Sequence, residues 1–379
     1  MKNLFYFYDD YYLPIIIPIS FYKINRVIML REKGKSNLED FYNFKEYIES
    51  EFKDIIIEDK VIKHYSDIKN IVKKYDGESY TYFDGEANLN EFVLFDISKE
   101  MNIKRLLISE SKAMMYEFND EGIVEHDIKN IDLNIEDLIS SFGGSIAIDQ
   151  SSIYNSDAVN EFLNWILKNY GNFKKINRNV FKRNNIFIND KKSPNSSTIL
   201  KSKINDYEKY ILMDLINLLK EKKYLDYKII KNNILLNYHD LGLKELMKKP
   251  GTWLEALIYK ELNKMKIFND IKTGVEFLWD EDNNILKNEL DVLAIIDQKV
   301  VCISCKDTKR YGKDSFNELL VYSNKLGGDS AIKILVATEE PEFEGDIERA
   351  KEMGINIIVF NGDTNEFQNQ VESILWKKN

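Results

Sequence analysis

The sequence predicts an α/β protein, with a parallel, doubly wound sheet in its N-terminal part and a second α/β unit at its C-terminal end. Short apolar runs alternate with amphipathic stretches from residue 1 to about 150, as in repeated strand–helix–strand units. The alternation returns after residue 250. Between them the pattern is mostly helical. The expected division is therefore 1–150, a connecting region at 151–245, and 246–379.

In the first part, Leu4–Phe7, Arg26–Leu30, Ile55–Glu58, Tyr80–Phe83 and Arg105–Ile108 read as strands. Leu38–Phe52, Val61–Lys74 and Leu89–Met101 read as the helices between them. Asn119 to Gly122 has turn chemistry and predicts a hairpin joining Met114–Phe118 to Ile123–His126. In the connecting region Ile204, Tyr207, Tyr210, Ile211, Leu215, Leu218 and Leu219 recur at helical spacing on one face. Lys191 to Ser197 reads as a linker. The last part reads as helix Trp253–Met265, strands Glu289–Ile296 and Val300–Lys306, helix Ser315–Leu326, strand Lys333–Ala337, helix Ile347–Met353 and strand Asn356–Phe360.

The net charge of -10 and pI near 5.2 argue against an indiscriminate nucleic-acid coat. They leave room for an acidic catalytic centre with local basic patches. One such patch is Lys174, Lys175, Arg178, Lys182 and Arg183, which reads equally as a solvated surface or a nucleic-acid contact. The only cysteines, Cys302 and Cys305, give no disulfide framework, and on a strand their thiols point to opposite faces. The apolar stretch Leu13–Phe21 is too short to span a bilayer and follows acidic residues. A cytoplasmic protein with no membrane partner is expected.

The chemistry concentrates in Asn288-Glu289-Leu290-Asp291-Val292-Leu293 and Val301-Cys302-Ile303-Ser304-Cys305-Lys306. An acid on one strand and a lysine ending the next is the layout of PD-(D/E)xK nucleases. Phosphodiester hydrolysis needs a hard cation held by oxygen ligands, a polarised water and charge stabilisation. Asp291 can ligate, Lys306 can orient the water, and Glu255 can add a carboxylate from the preceding helix. Residues facing across a hairpin share a sheet face. A two-residue turn at Asp297-Gln298 sets Asp291 opposite Ser304, and a four-residue turn sets it opposite Lys306; either assembles the site. A three-residue turn splits it between faces. Plainer roles exist too: Asp291 and Lys306 as a cross-strand ion pair, and Glu255 as the last member of a Thr252–Glu255 capping box.

These residues, with Gly251-Thr252-Trp253-Leu254-Glu255 before them and Leu326-Gly327-Gly328 after, resemble the type III CRISPR effectors that join a CARF sensor to a PD-(D/E)xK nuclease. The resemblance implies a Rossmann-like CARF sheet followed by a restriction-endonuclease-like domain. It implies a homodimer in antiviral defence that binds a cyclic oligoadenylate and then cuts DNA or RNA using Mn²⁺ or Mg²⁺. Ser304 stands where that family usually has Glu, so the implied ligand set is Asp291, Glu255, Ser304 and the Cys305 carbonyl. The sensor loops become Asp9, Asp10, Tyr11 and Tyr12 after the first strand, and Asp84, Gly85, Glu86, Ala87 and Asn88 after the fourth. Glu318 and Tyr322, four apart on one helix face, are accessory candidates. Two rival readings fit the same residues. One is a constitutive restriction or repair nuclease. The other is a nucleotide sensor whose active site has decayed at Ser304.

Overall fold

The computed structural model describes residues 1–8, 15–32, 38–83, 89–109, 112–128, 133–189, 194–278, 287–297 and 299–376. The N-terminal elements are β1 (Lys2–Phe7), α1 (Ile16–Tyr22), β2 (Arg26–Glu32), α2 (Leu38–Glu51), β3 (Ile56–Ile62), α3 (Ser66–Val72), β4 (Glu78–Phe83), α4 (Leu89–Glu100), β5 (Lys104–Ser109), β6 (Met114–Asn119) and β7 (Gly122–Asp127). They form a seven-stranded sheet in the order β3-β2-β1-β4-β5-β6-β7. The first five strands run parallel, and the hairpin β6–β7 extends the edge antiparallel. The chain works outward from β1 on one side and restarts at β4 on the other. The β1/β4 junction is thus the switch point, where crevices open at the carboxyl ends of strands.

The Leu13–Phe21 stretch contributes α1, whose Ile16, Ile17, Pro18 and Ile19 are buried. Pro18 is tolerated because it sits in the first turn, where its missing N–H has no helical partner to lose. The helix expected over Val61–Lys74 is shorter. β3 runs to Ile62, and α3 begins only at Ser66. Among the described residues, no helix is long and apolar enough to cross a membrane.

Residues 151–245 are largely helical, as the pattern predicts, but they also carry a small sheet that it does not predict. After α5 (Ile135–Ser141) and β8 (Ser145–Ile148) come α6 (Ser151–Tyr154), α7 (Asp157–Lys168) and α8 (Tyr170–Ile176), which runs on into a π turn at Asn177–Phe181. Then come β9 (Phe187–Asn189), β10 (Ser196–Ile199), α9 (Asp206–Glu221), β11 (Leu225–Ile230), β12 (Asn233–Tyr238) and α10 (Leu241–Lys248). The four strands form an antiparallel sheet, β11-β12-β10-β9. The expected linker at 191–197 ends inside β10, and 190–193 lie outside the described residues. On α9, Ile211, Leu215 and Leu219 are buried as the spacing predicts. Tyr207 and Tyr210 are not; they are 49% and 73% exposed.

The C-terminal elements are α11 (Thr252–Met265), β13 (Asp270–Leu278), β14 (Lys287–Ile296), β15 (Lys299–Lys306), α12 (Lys313–Gly327), β16 (Ile332–Ala337), α13 (Gly345–Glu352), β17 (Ile355–Val359) and α14 (Thr364–Leu375). Their sheet runs β17-β16-β15-β14-β13-β8, so β8 from before the connecting region closes its edge. One apolar cluster covers the outer face of this sheet, with α7, α9 and α11. A second joins its inner face to the N-terminal sheet, through Leu290, Leu293 and Leu335 on one side and Leu4, Tyr6 and Val27 on the other.

Candidate active site

The hairpin β14–β15 takes the two-residue turn. Its ladder runs from Ile296↔Lys299 to Val292↔Ile303, so the register sets Asp291 across from Ser304. There the backbone ladder gives way to side-chain bonds. The Asp291 carboxylate Oδ2 accepts the Cys305 N–H at 2.6 Å and the Ser304 hydroxyl at 3.1 Å. Lys306 Nζ stands 3.9 Å from the same oxygen.

A kink explains how both faces of the sheet reach one spot. Val292, Ala294 and Ile296 pack in the outer cluster, while Leu290, of the same parity, packs in the inner one. Strand β13 flips likewise, with Ile271 on the outer side and Val275 and Phe277 on the inner. Gly274 lies between them at φ 55°, the left-handed region that glycine enters without strain. An added Cβ there would also meet the Gln150 side chain at 2.9 Å. Asp291 sits at the flip, which lets α11 supply Glu255 from one side while α12 supplies Glu318 and Tyr322 from the other.

Those residues share one cavity of about 220 Å³, lined by Glu255, Glu289, Asp291, Ser304 and Lys306 with Glu318 and Tyr322 on the far wall. Glu255 is not a capping residue. The N-cap is Gly251, at φ 101°, and no side chain caps the helix. Thr252 is already helical, and its hydroxyl donates to the Lys249 carbonyl at 2.9 Å. The Glu255 carboxyl is pushed up to about 8, first by burial and then by the Asp291 and Glu289 charges, against the pull of Lys306 and Lys249. Glu289 is also raised, by burial first and then by Asp291 and Glu276.

The charge set fits a divalent cation: three carboxylates face one cavity, and one of them holds its proton because burial and two like charges outweigh the nearby lysines. The fit is one of charge. Among the described residues no group of three carboxylates, histidines or cysteines stands close enough to grip an ion unaided. Cys305 reaches the site through its N–H. Its thiol faces the outer cluster, while Cys302 faces the inner one.

Residues 246–377 match the family described as Card1-like, endonuclease domain. The C-terminal part of the chain is therefore similar to Card1-like endonuclease domains. The fold around it is shared by solved structures. Protein VC1899 from Vibrio cholerae matches with a TM-score of 0.76 at 15% identity, covering 100% of this chain and 99% of that one. Can2 from Sulfobacillus thermosulfidooxidans, solved in complex with cyclic tetra-adenylate, matches at 0.69 and 14% over 99% of each chain. A type III CRISPR defence DNA nuclease activated by cyclic oligoadenylate matches at 0.51 and 10%, over 92% of this chain and 51% of that one. No curated protein matches the sequence. The fold is thus a Rossmann-like parallel sheet joined to a second α/β domain that matches a nuclease family.

Within the Card1-like domain, two residues near the cavity were not anticipated from sequence. Glu289 lies two positions before Asp291 on one strand, a spacing that repeats a face and could have flagged it. Lys249, before the Gly251 cap, acts on both Glu255 and Glu289 through its charge. The sensor-loop candidates Asp9, Asp10, Tyr11, Tyr12, Asp84, Gly85, Glu86, Ala87 and Asn88 all lie outside the described residues.

The raised Glu255 carboxyl has a measurable consequence without metal. The stability its proton brings is complete below about pH 4.5 and is lost as pH rises towards 8. Glu255→Gln keeps an uncharged group at every pH. In EDTA, the variant's advantage over the parent in urea unfolding should widen from pH 5 to pH 8, reaching a few kcal/mol. Parallel stability curves would show that Glu255 titrates normally.

Proposed function

We propose that this chain is a metal-dependent endonuclease of type III CRISPR defence, switched on by a cyclic oligoadenylate bound to its N-terminal sheet. The observation that carries the nuclease reading is the cavity that gathers Glu255, Glu289, Asp291 and Lys306 at the sheet kink. A bound Mn²⁺ or Mg²⁺ would polarise the scissile phosphate and lower the pKa of a water. Asp291 would hold the ion, and Glu289 and Glu255, which face the same cavity, would complete its oxygen ligands with water. Ser304 and the Cys305 N–H both hold Asp291 Oδ2, leaving Oδ1 with no protein donor among the described residues. Ser304 therefore positions Asp291, and Glu289 makes up the carboxylate that Ser304 lacks. The Lys306 ammonium orients the attacking water and offsets charge building on the phosphorane. Glu318 and Tyr322 shape the opposite wall.

The sensor reading rests on topology. The segments 9–14 and 84–88 follow β1 and β4, the two strands flanking the switch point, where ligands seat in open α/β sheets. Can2, of the same fold, is solved with cyclic tetra-adenylate, and the CRISPR DNA nuclease is activated by a cyclic oligoadenylate. On this reading 1–150 senses, 151–245 connects and 246–379 cuts. α4 follows the switch-point strand β4 and exposes Leu89 and Phe92 at 61% and 63%, an apolar pair suited to a homodimer face. Two buried, unpaired thiols suit a reducing cytoplasm.

The test is cleavage of single-stranded and duplex DNA and of RNA, in Mn²⁺ or EDTA, with and without cyclic oligoadenylates of several ring sizes. Cutting only with both metal and one ring size is expected. That ring should also raise the melting temperature, by mass action on the folded state. Metal-dependent cutting that ignores every ring, with no thermal shift, would favour a constitutive nuclease. A thermal shift without cutting would mark a decayed sensor.

A further inference from the structure

A second cavity, of about 560 Å³, opens beside the end of β15, between α8 with its π turn and the loop that follows Lys306. On a chain of net charge -10 it presents six cations: Lys174, Lys175, Arg178, Lys182, Lys309 and Arg310. Three of these are neutralised. Lys182 pairs with Asp307 at 2.8 Å, and Lys309 and Arg310 share Glu342 at 3.2 and 3.4 Å. The other three form no ion pair among the described residues, although Glu339 also lines the cavity. Lys174 Nζ donates to the Thr338 carbonyl at 2.9 Å, which fixes the ammonium without neutralising it. Lys175 lies over the Tyr207 ring, 5.1 Å from its centroid. Arg178 lies one helical turn beyond Lys174, on the same side.

Aromatic surface adjoins these cations. The Tyr207 hydroxyl donates to Asn172 Oδ1 at 2.6 Å, which ties α9 to α8. Tyr210, one turn further along α9, is 73% exposed, while the opposite face of that helix is core. The wall is firmly built. Asp307 anchors the π turn through Asn177 at 2.6 Å and α11 through the Trp253 indole N–H at 3.0 Å. Asp307 also follows Lys306 directly, so the cationic cleft and the catalytic cavity flank one strand end.

We propose that this cleft is the docking track for a single-stranded nucleic acid, with backbone phosphates on Lys174, Lys175 and Arg178 and a base stacked on Tyr210. The inference rests on the nuclease reading and adds where the strand is held outside the catalytic cavity. Cations outside ion pairs collect phosphates of any sequence, and an exposed ring needs a free base face, which a duplex withholds. A protein partner with an acidic segment would use the cations but would gain little from the tyrosine.

The test measures binding without cleavage. The full-length protein in EDTA is titrated against fluorescent 20-nucleotide DNA and RNA strands, and a 20-base-pair duplex, by anisotropy across a salt series. Lys175→Ala/Arg178→Ala should weaken single-strand binding at least tenfold. It should also flatten the salt slope by about 1.4, roughly 0.7 per cation. Tyr210→Ala should lose about tenfold with the slope unchanged. Both variants should melt with the parent. Unchanged affinity and slope in these variants would overturn the proposal. So would tighter binding of the duplex, or equal competition by polyglutamate. Because nothing is cut, an inert protein that binds strands in this way keeps the track and loses the nuclease reading. An active enzyme whose variants bind like the parent loses the track alone.

Discussion

Asp291→Asn is expected to abolish cleavage while leaving the fold in place. Asparagine keeps an acceptor oxygen for the Cys305 N–H and the Ser304 hydroxyl, so the junction where the β14–β15 ladder gives way retains its bonds. What disappears is the charge at the flip point of the sheet, the one carboxylate that both raises Glu255 and pairs with Lys306. A loss of at least about 10³-fold in cleavage rate is expected, some 4 kcal/mol of transition-state stabilisation. The melting temperature in EDTA should stay within about a degree of the parent, since one like-charge repulsion is relieved as one ion pair is lost. The substitution should also bring the Glu255 carboxyl down, because Asp291 is the largest charge acting on it. Retained cleavage in Asp291→Asn would place the chemistry elsewhere.

Asp307→Ala should unfold the connecting region from the nuclease sheet. The carboxylate is nearly buried, with 7% of its side chain exposed, and joins four elements. Oδ2 accepts from Asn177, from the Trp253 indole and from Lys182, at 2.6, 3.0 and 2.8 Å. Oδ1 accepts from the Thr338 hydroxyl at 2.9 Å. Truncation strands these donors and leaves the Lys182 charge facing a low-dielectric wall. Removing one partner of such a buried network costs about 3–5 kcal/mol. Trp253, fully buried two residues before Glu255, loses its polar anchor, so cleavage should fall as well. Urea unfolding reads the effect, and a change under about 1 kcal/mol would mean that water or rearranged side chains replace the carboxylate.

The parallel half of the N-terminal sheet was legible because its strands are apolar runs separated by amphipathic helices, the strongest pattern a sequence offers. The hairpin β14–β15 was legible for a different reason. Only a few turn lengths keep Asp291 and Lys306 on one face, and the two-residue turn is among them. The antiparallel sheet of the connecting region was hidden by its chemistry. β11 exposes Ile229 and Ile230, and its turn to β12 uses Lys231 and Asn232 at φ 48° and 65°, where a glycine would have signalled a hairpin. β13 was hidden by Gly274, which reads as a strand breaker yet is the device that brings both faces of the sheet to Asp291. The capping role offered for Glu255 failed because Gly251 takes the cap one residue earlier. Glu289 was overlooked although its spacing from Asp291 marks the same face. Local sequence shows which side chains share a strand face, but not where a sheet turns over.

Isothermal titration of Mn²⁺ into the metal-free protein, at pH 7 and at pH 8.5, tests the carboxylate cavity most directly. One tight site per chain is expected, stronger at the higher pH, with proton release at pH 7 as Glu255 gives up its hydrogen, and absent from Asp291→Asn. Binding that is missing in the parent, or unchanged in Asp291→Asn, would contradict a metal centre at the kink.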